Sequence, residues 1–130
     1  MKLRIKGNSL RFRVSRSELS QLIQSGRLEE TIRFAPENDA RLIYALENST
    51  DQKQISLRYR PQEVTVLLPL VDAHQWLSGD QVGLYGECRV GDGVIALIVE
   101  KDFACLDGTD TENEDAFANP NKRAACQSNS

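Results

Sequence analysis

The chain has 130 residues, 40% of them apolar and 27% charged, with a formal net charge of −3. That length supports one domain with its own core and excludes an enzyme built from separate subdomains. No apolar run approaches the roughly 18 residues of a membrane span, and the start Met-Lys-Leu-Arg-Ile-Lys lacks the continuous apolar stretch of a signal peptide.

In chain order, Leu3/Ile5 and Leu10/Phe12/Val14 alternate with Arg4/Lys6 and Arg11/Arg13. This is the period of two of half-buried strands, with Gly7-Asn8-Ser9 as the turn between them. Ser15-Arg-Ser-Glu18 reads as a capping box opening a helix, with Leu19, Leu22 and Ile23 on its apolar face and Gly26 ending it. Residues 28–34 and 41–47 are predicted strands. Residues 55–60 and 63–68 are two more, around Pro61-Gln62. Pro69 then opens a second helix, with Val71, Trp76 and Leu77 as its apolar face and Gly79 at its end. Residues 82–90 and 94–100 form a hairpin about Gly91-Asp92-Gly93.

These elements repeat. Shifted by 54, all nine apolar residues between Leu3 and Leu28 fall on apolar residues, Leu22 on Trp76 among them, while Arg4, Lys6 and Glu18 fall on Arg58, Arg60 and Asp72. At a shift of 53, Arg41–Glu47 matches Val94–Glu100. The expectation is an α+β fold of two ββαββ units, residues 3–47 and 57–100, within one duplicated domain over 1–106. Eight antiparallel strands at 4.8 Å make a sheet about 38 Å wide, which two helices cannot cover. A strongly curled sheet or closed barrel is therefore expected, with the helices outside and a polar concave face.

Six of the 19 acidic residues lie in 102–130 against two of the 16 basic ones, leaving 14 basic and 13 acidic residues in the body. Residues 107–130 have no apolar periodicity and read as a flexible acidic tail. Such a tail either extends without contact or docks on a basic face. Its acidic run lacks the spacing of an EF-hand loop.

The polar phase of the strands carries eight basic residues against four acidic ones. Arg4, Lys6, Arg11, Arg13, Arg58 and Arg60 are the candidate ligand-binding residues, because guanidinium groups converging on one surface suit phosphate or carboxylate. Glu29, Glu47, Glu87 and Glu100 are candidate ligands for Mg²⁺ in an alternative, catalytic reading. A third reading has these charges as solvated strand faces, paired across strands, or as a protein-contact surface. His74 is the single histidine and is placed on an exposed helix face, which leaves zinc without support. Cys88 falls on an apolar phase. The odd cysteine count, without Cys-x-x-Cys spacing, points to a reducing, cytoplasmic setting. No nucleotide-binding fingerprint appears. A near-neutral body with few aromatic residues argues against nucleic acid.

Met-Lys-Leu-Arg-Ile-Lys-Gly-Asn-Ser-Leu-Arg-Phe-Arg at the start, with Ile98-Val-Glu-Lys-Asp-Phe-Ala-Cys-Leu106 and Phe117-Ala-Asn-Pro120, resembles a family of small bacterial proteins known only as a domain of unknown function. That resemblance covers nearly the whole chain and brings no activity with it. In architecture alone the expected barrel is similar to the triphosphate tunnel (CYTH) enzymes. Those carry Glu-x-Glu-x-Lys near their start, where this chain has Lys2-Leu-Arg-Ile-Lys6. The expectation is thus a non-catalytic cytoplasmic module, without cofactor or membrane, that binds an anionic, phosphate-containing ligand or a protein partner. The alternatives are a Mg²⁺-dependent phosphohydrolase and a purely structural or regulatory protein.

Overall fold

Ser15 and Glu18 close the capping box: the Glu18 N–H donates to the Ser15 hydroxyl at 3.3 Å, and the Ser15 N–H to the Glu18 carboxylate at 2.9 Å. In the computed structural model, which describes residues 1–103 and Phe117, this cap starts a helix that Gly26 ends at φ +86°. The whole order is β1 (Lys2–Lys6), β2 (Ser9–Val14), α1 (Arg16–Ser25), β3 (Arg27–Arg33), β4 (Arg41–Ser49), β5 (Ser56–Arg60), β6 (Glu63–Pro69), α2 (Leu70–Ser78), β7 (Gly83–Val90) and β8 (Gly93–Lys101). The fold is α+β, with eight strands and two helices. Among the described residues, no helix is long and apolar enough to cross a membrane.

The strands form two four-stranded sheets, β1-β2-β8-β7 and β3-β4-β6-β5, and not one curled sheet or closed barrel. Nor are all pairings antiparallel. The hairpins are, but β2 runs parallel to β8 and β4 parallel to β6. Each sheet thus joins a hairpin from one half of the chain to a hairpin from the other, and exchanging β1–β4 with β5–β8 turns one strand order into the other. Two helices indeed cannot cover eight strands. The cover comes from the sheets themselves, which face each other across a shared core.

That core contains Phe12, Val14, Leu97 and Val99 from the first sheet and Leu28, Leu46, Val66 and Leu68 from the second. Phe12 and Tyr44 meet across it with ring centroids 6.4 Å apart. Leu19 and Leu22 of α1 and Ala73 and Trp76 of α2 complete the core, all with no exposed surface. Trp76 therefore takes the buried role that Leu22 has in the first helix, and its indole N–H donates to the Val82 carbonyl at 3.1 Å. Val71, expected on the apolar face of α2, is 67% exposed. With the helix beginning at Leu70, positions 73 and 76 face inward and position 71 faces away.

The helix ends are tied to the sheets by equivalent positions. Asn48, near the end of β4, donates from Nδ2 to the Leu22 carbonyl at 2.8 Å, and Lys101, at the end of β8, donates from Nζ to the Gly79 carbonyl at 2.9 Å. Burial pushes the Lys101 pKa down. The Lys101 ammonium also lies 5.1 Å from the centroid of Phe117, whose ring packs edge-on against Phe103 and is itself 9% exposed. Phe117, within the stretch read as an acidic tail, thus packs on the body beside Phe103 and Lys101. The other tail residues, with Cys105 and Cys126, lie outside the described residues. Cys88 is a half-buried free thiol packed against the core, and His74 is exposed.

Gly86 of β7 lies where the two sheets come together at one edge. A Cβ there would collide with Cγ2 of Ile55, a buried residue of the loop before β5. Gly86→Ala should destabilise the fold by about 1–3 kcal/mol through overpacking. In an Ile55→Ala background that penalty should fall below about 0.5 kcal/mol, as the coupling of contacting residues requires. Urea denaturation of the four proteins of this cycle measures it.

Candidate functional site

The polar phase of each strand lies on the outer face of its own sheet, so the single basic face expected from the sequence is divided in two. Arg4, Lys6, Arg11 and Arg13 lie on the outside of the first sheet, Arg58 and Arg60 on the outside of the second. Strand alternation says which face of a sheet a residue occupies, and nothing about which sheet it shares.

At the centre of the second sheet's outer face Arg27 and Arg58 are paired with carboxylates, while Arg33 stands opposite Arg41 at one end. Arg27 reaches Glu29 and Glu47, each at 2.8 Å, and Glu63 at 3.5 Å. Arg58 reaches Glu47 at 3.1 Å and Glu63 at 3.8 Å. Beneath them the fully buried Thr65 donates its hydroxyl to Glu63 at 3.1 Å. The Arg58 hydrogen bonds, helped by Arg27 and opposed by burial, hold the Glu47 carboxyl below its ordinary pKa of 4.5.

The first sheet is different. Arg4, Lys6, Ser9, Arg11 and Ile98 line a shallow depression of about 160 Å³. Arg4 stands directly across from Arg11 in the β1–β2 register, an arrangement of like charges that costs stability in a sheet. Arg11 is 3.6 Å from Glu100, but among the described residues no carboxylate lies within 4.0 Å of Arg4 or Lys6. Glu100 also accepts the Tyr85 phenol at 2.9 Å. Burial together with that hydrogen bond pushes the Tyr85 pKa up to about 12. Ser9 turns its hydroxyl to the Lys6 carbonyl at 2.7 Å, so it contributes small size and no charge. Arg13 lies one pair further along, opposite Lys2 and Glu100. Lys2 reaches Asp102 at 3.1 Å.

Positions 54 apart explain the contrast. Arg58 and Arg60 correspond to Arg4 and Lys6, but Glu63 corresponds to Ser9 and Thr65 to Arg11. Arg27, which joins Glu29, Glu47 and Glu63 on the second sheet, corresponds to Gln81, so the network's other cation is also missing from the first sheet.

The four glutamates of the alternative reading are not brought together. Glu29 and Glu47 lie on the second sheet, Glu87 and Glu100 on the first. Among the described residues there is no group of three or more carboxylate, histidine or cysteine side chains placed to hold a metal ion. The absence of a closed barrel also removes the tunnel that the alternative assumed. Sequence reasoning missed Arg27, Glu63, Ser9 and Tyr85. Arg27 and Glu63 share the polar phase of their strands and were legible by that signal, whereas Ser9 matters only through what it replaces.

The chain belongs to a family of unknown function, DUF7009, whose model matches residues 1–121. No curated protein and no solved structure matches the chain.

Arg4→Ala should change stability by no more than about 0.5 kcal/mol, because it removes an exposed cation facing another. Arg58→Ala should cost about 1–2 kcal/mol, because it leaves Glu47 and Glu63 to share Arg27 as their one remaining guanidinium. Chemical denaturation separates the two. Stability should also fall in acid. The folded-state pKa of Glu47 is depressed, so its contribution is complete above the ordinary value of 4.5 and is lost as pH falls through the folded value. Glu18 behaves alike: burial raises its pKa, but the Met1 amine and the Ser15 N–H lower it further, and the net shift is down. Between about pH 6 and about pH 3, Glu47→Gln should lose less stability than the wild type in urea titrations.

Proposed function

We propose that this protein is a non-catalytic module that binds a small anion of phosphate type on the outer face of its first sheet, through Arg4, Lys6 and Arg11. We also infer that its halves are copies of one ββαββ unit, a reading supported by the match at a spacing of 54 and by the exchange symmetry of the strand orders. In this reading the two outer faces began alike and diverged at several positions, Ser9/Glu63, Arg11/Thr65 and Arg13/Leu67 among them.

The observation that carries the binding proposal is the arrangement of three cations around one depression with no carboxylate facing Arg4 or Lys6 among the described residues. Arg33 stands opposite Arg41 on the second sheet in the same way, but Arg4 and Arg11 also line a depression together with Lys6. An anion between them would convert repulsion into charge-assisted hydrogen bonds, two of them from planar guanidinium groups suited to phosphate oxygens. Arg58 and Arg60 have no part in this site, and Arg13 flanks it.

The test is titration with inorganic pyrophosphate, followed by calorimetry and by amide chemical shifts. Shifts should concentrate on residues 4–11 and on Ile98, and affinity should fall with added salt. Arg11→Ala should weaken binding by about tenfold, the loss of one charge-assisted contact. The paired change Ser9→Glu with Arg11→Thr, which copies the second sheet onto the first, should abolish binding and preserve the fold. Arg60→Ala should change nothing. Equal affinity in the wild type and the paired variant would remove the proposal.

A further inference from the structure

We infer that the anion bound by the first sheet carries an apolar chain, and that this chain enters a hollow between the two sheets at the hairpin end of the molecule. The inference rests on the anion site proposed above and adds the class of ligand: a free, single-chain amphiphile with a phosphate-type head.

The hollow has a volume of about 360 Å³ and is walled on one side by Leu10, Val90 and Ile95 and on the other by Leu57, Tyr59 and Val64. All six occupy the core-facing phase of their strands, yet Tyr59 is 72% and Val90 53% exposed. The helices fill the space between the sheets at the opposite end, after Val14 and Pro69, and no described residue fills it here. The volume lies within the usual range of small-molecule sites, about 300–1,000 Å³. It is also more than twice that of an apolar cavity, about 150 Å³, known to accept benzene.

The hollow and the basic depression share Ser9, at the tip of the β1–β2 hairpin. Lys6 lines one and its neighbour Gly7 the other. Nothing lies within 4 Å of where a Cβ at Gly7 would stand, so the way around the hairpin tip is open. Charge at this end also favours an anionic amphiphile over a second copy of the chain. Lys6, Arg60 and Arg89 adjoin the lining residues Gly7, Tyr59 and Val90 in sequence. Of the acidic residues there, Glu63 is already paired with Arg27 and Arg58, which leaves Asp92 and, in the β3–β4 loop flanked by Arg33 and Arg41, Glu37 and Asp39. Two copies meeting through this end would bring like charges together.

The experiment compares inorganic phosphate, butyl phosphate, octyl phosphate below its micellar concentration, and 1-octanol, by calorimetry on the full chain. Octyl phosphate should bind at least about tenfold more tightly than butyl phosphate, as burial of added methylenes requires. Tyr59→Ser and Val90→Ser, at exposed positions that the fold does not need, should remove that advantage and leave inorganic phosphate binding unchanged. Equal affinity for inorganic and octyl phosphate would overturn the inference and leave the anion site standing. Octanol binding as well as octyl phosphate, with no response to inorganic phosphate, would overturn both. So would silence from all four. Binding to anionic lipid vesicles without binding to soluble octyl phosphate would overturn the single-chain reading. A concentration-dependent dimer abolished by Tyr59→Ser would assign the hollow to self-association and overturn the inference as well.

Discussion

Two parallel seams, β2 with β8 and β4 with β6, hold this molecule together, because each joins hairpins from opposite halves of the chain. Neither half possesses a complete sheet. The apolar faces can be removed from water only after both seams have formed and the two sheets have closed on each other. The helices follow from this constraint. Each sits after the strand that makes a seam, α1 after β2 and α2 after β6, and its buried residues plug the space the sheets leave between them. The outer faces are then free of structural demands, and what stands on them reflects other requirements.

Those faces show how little chemistry separates a stabilising surface from a reactive one. Where Glu63 and Thr65 occupy the second sheet, Arg27, Arg58, Glu47 and Glu63 form ion pairs over a buried hydroxyl. Where Ser9 and Arg11 stand in their place, the guanidinium groups of Arg4 and Arg11 oppose each other with only Glu100 nearby. The same backbone thus carries one face whose central charges are paired and one whose central charges are not.

Local features of the fold were legible in the sequence because their causes are local. The Ser15/Glu18 box, the left-handed Gly26, the hairpins and the burial of Leu22 and Trp76 each depend on a few neighbouring residues. The strand partners were not legible in the same way. Nothing in residues 9–14 distinguishes a parallel partner 87 positions away, as Ser9 has in Ala96, from an antiparallel neighbour. That missing pairing led to the expectation of a barrel, and with it to a single face that would have united Arg4 with Arg58. Arg4, Lys6 and Arg11 were legible as a group because they lie on one hairpin. Arg58 and Arg60 were assigned with them only because they repeat the pattern.

The hydrogen bonds from Asn48 and Lys101 to the carbonyls that end α1 and α2 affect how this protein opens. A helix end held by water frays by itself, within a small part of the total unfolding free energy. Here each end is fastened by the closing residues of a strand that belongs to a seam. Peeling the last turn of a helix therefore exposes a carbonyl and, for Lys101, a buried ammonium, unless the seam opens as well. The amides in those turns are coupled to the sheets, so helix and sheet form one cooperative unit, and breathing of the native state is left to the hairpin tips at the other end.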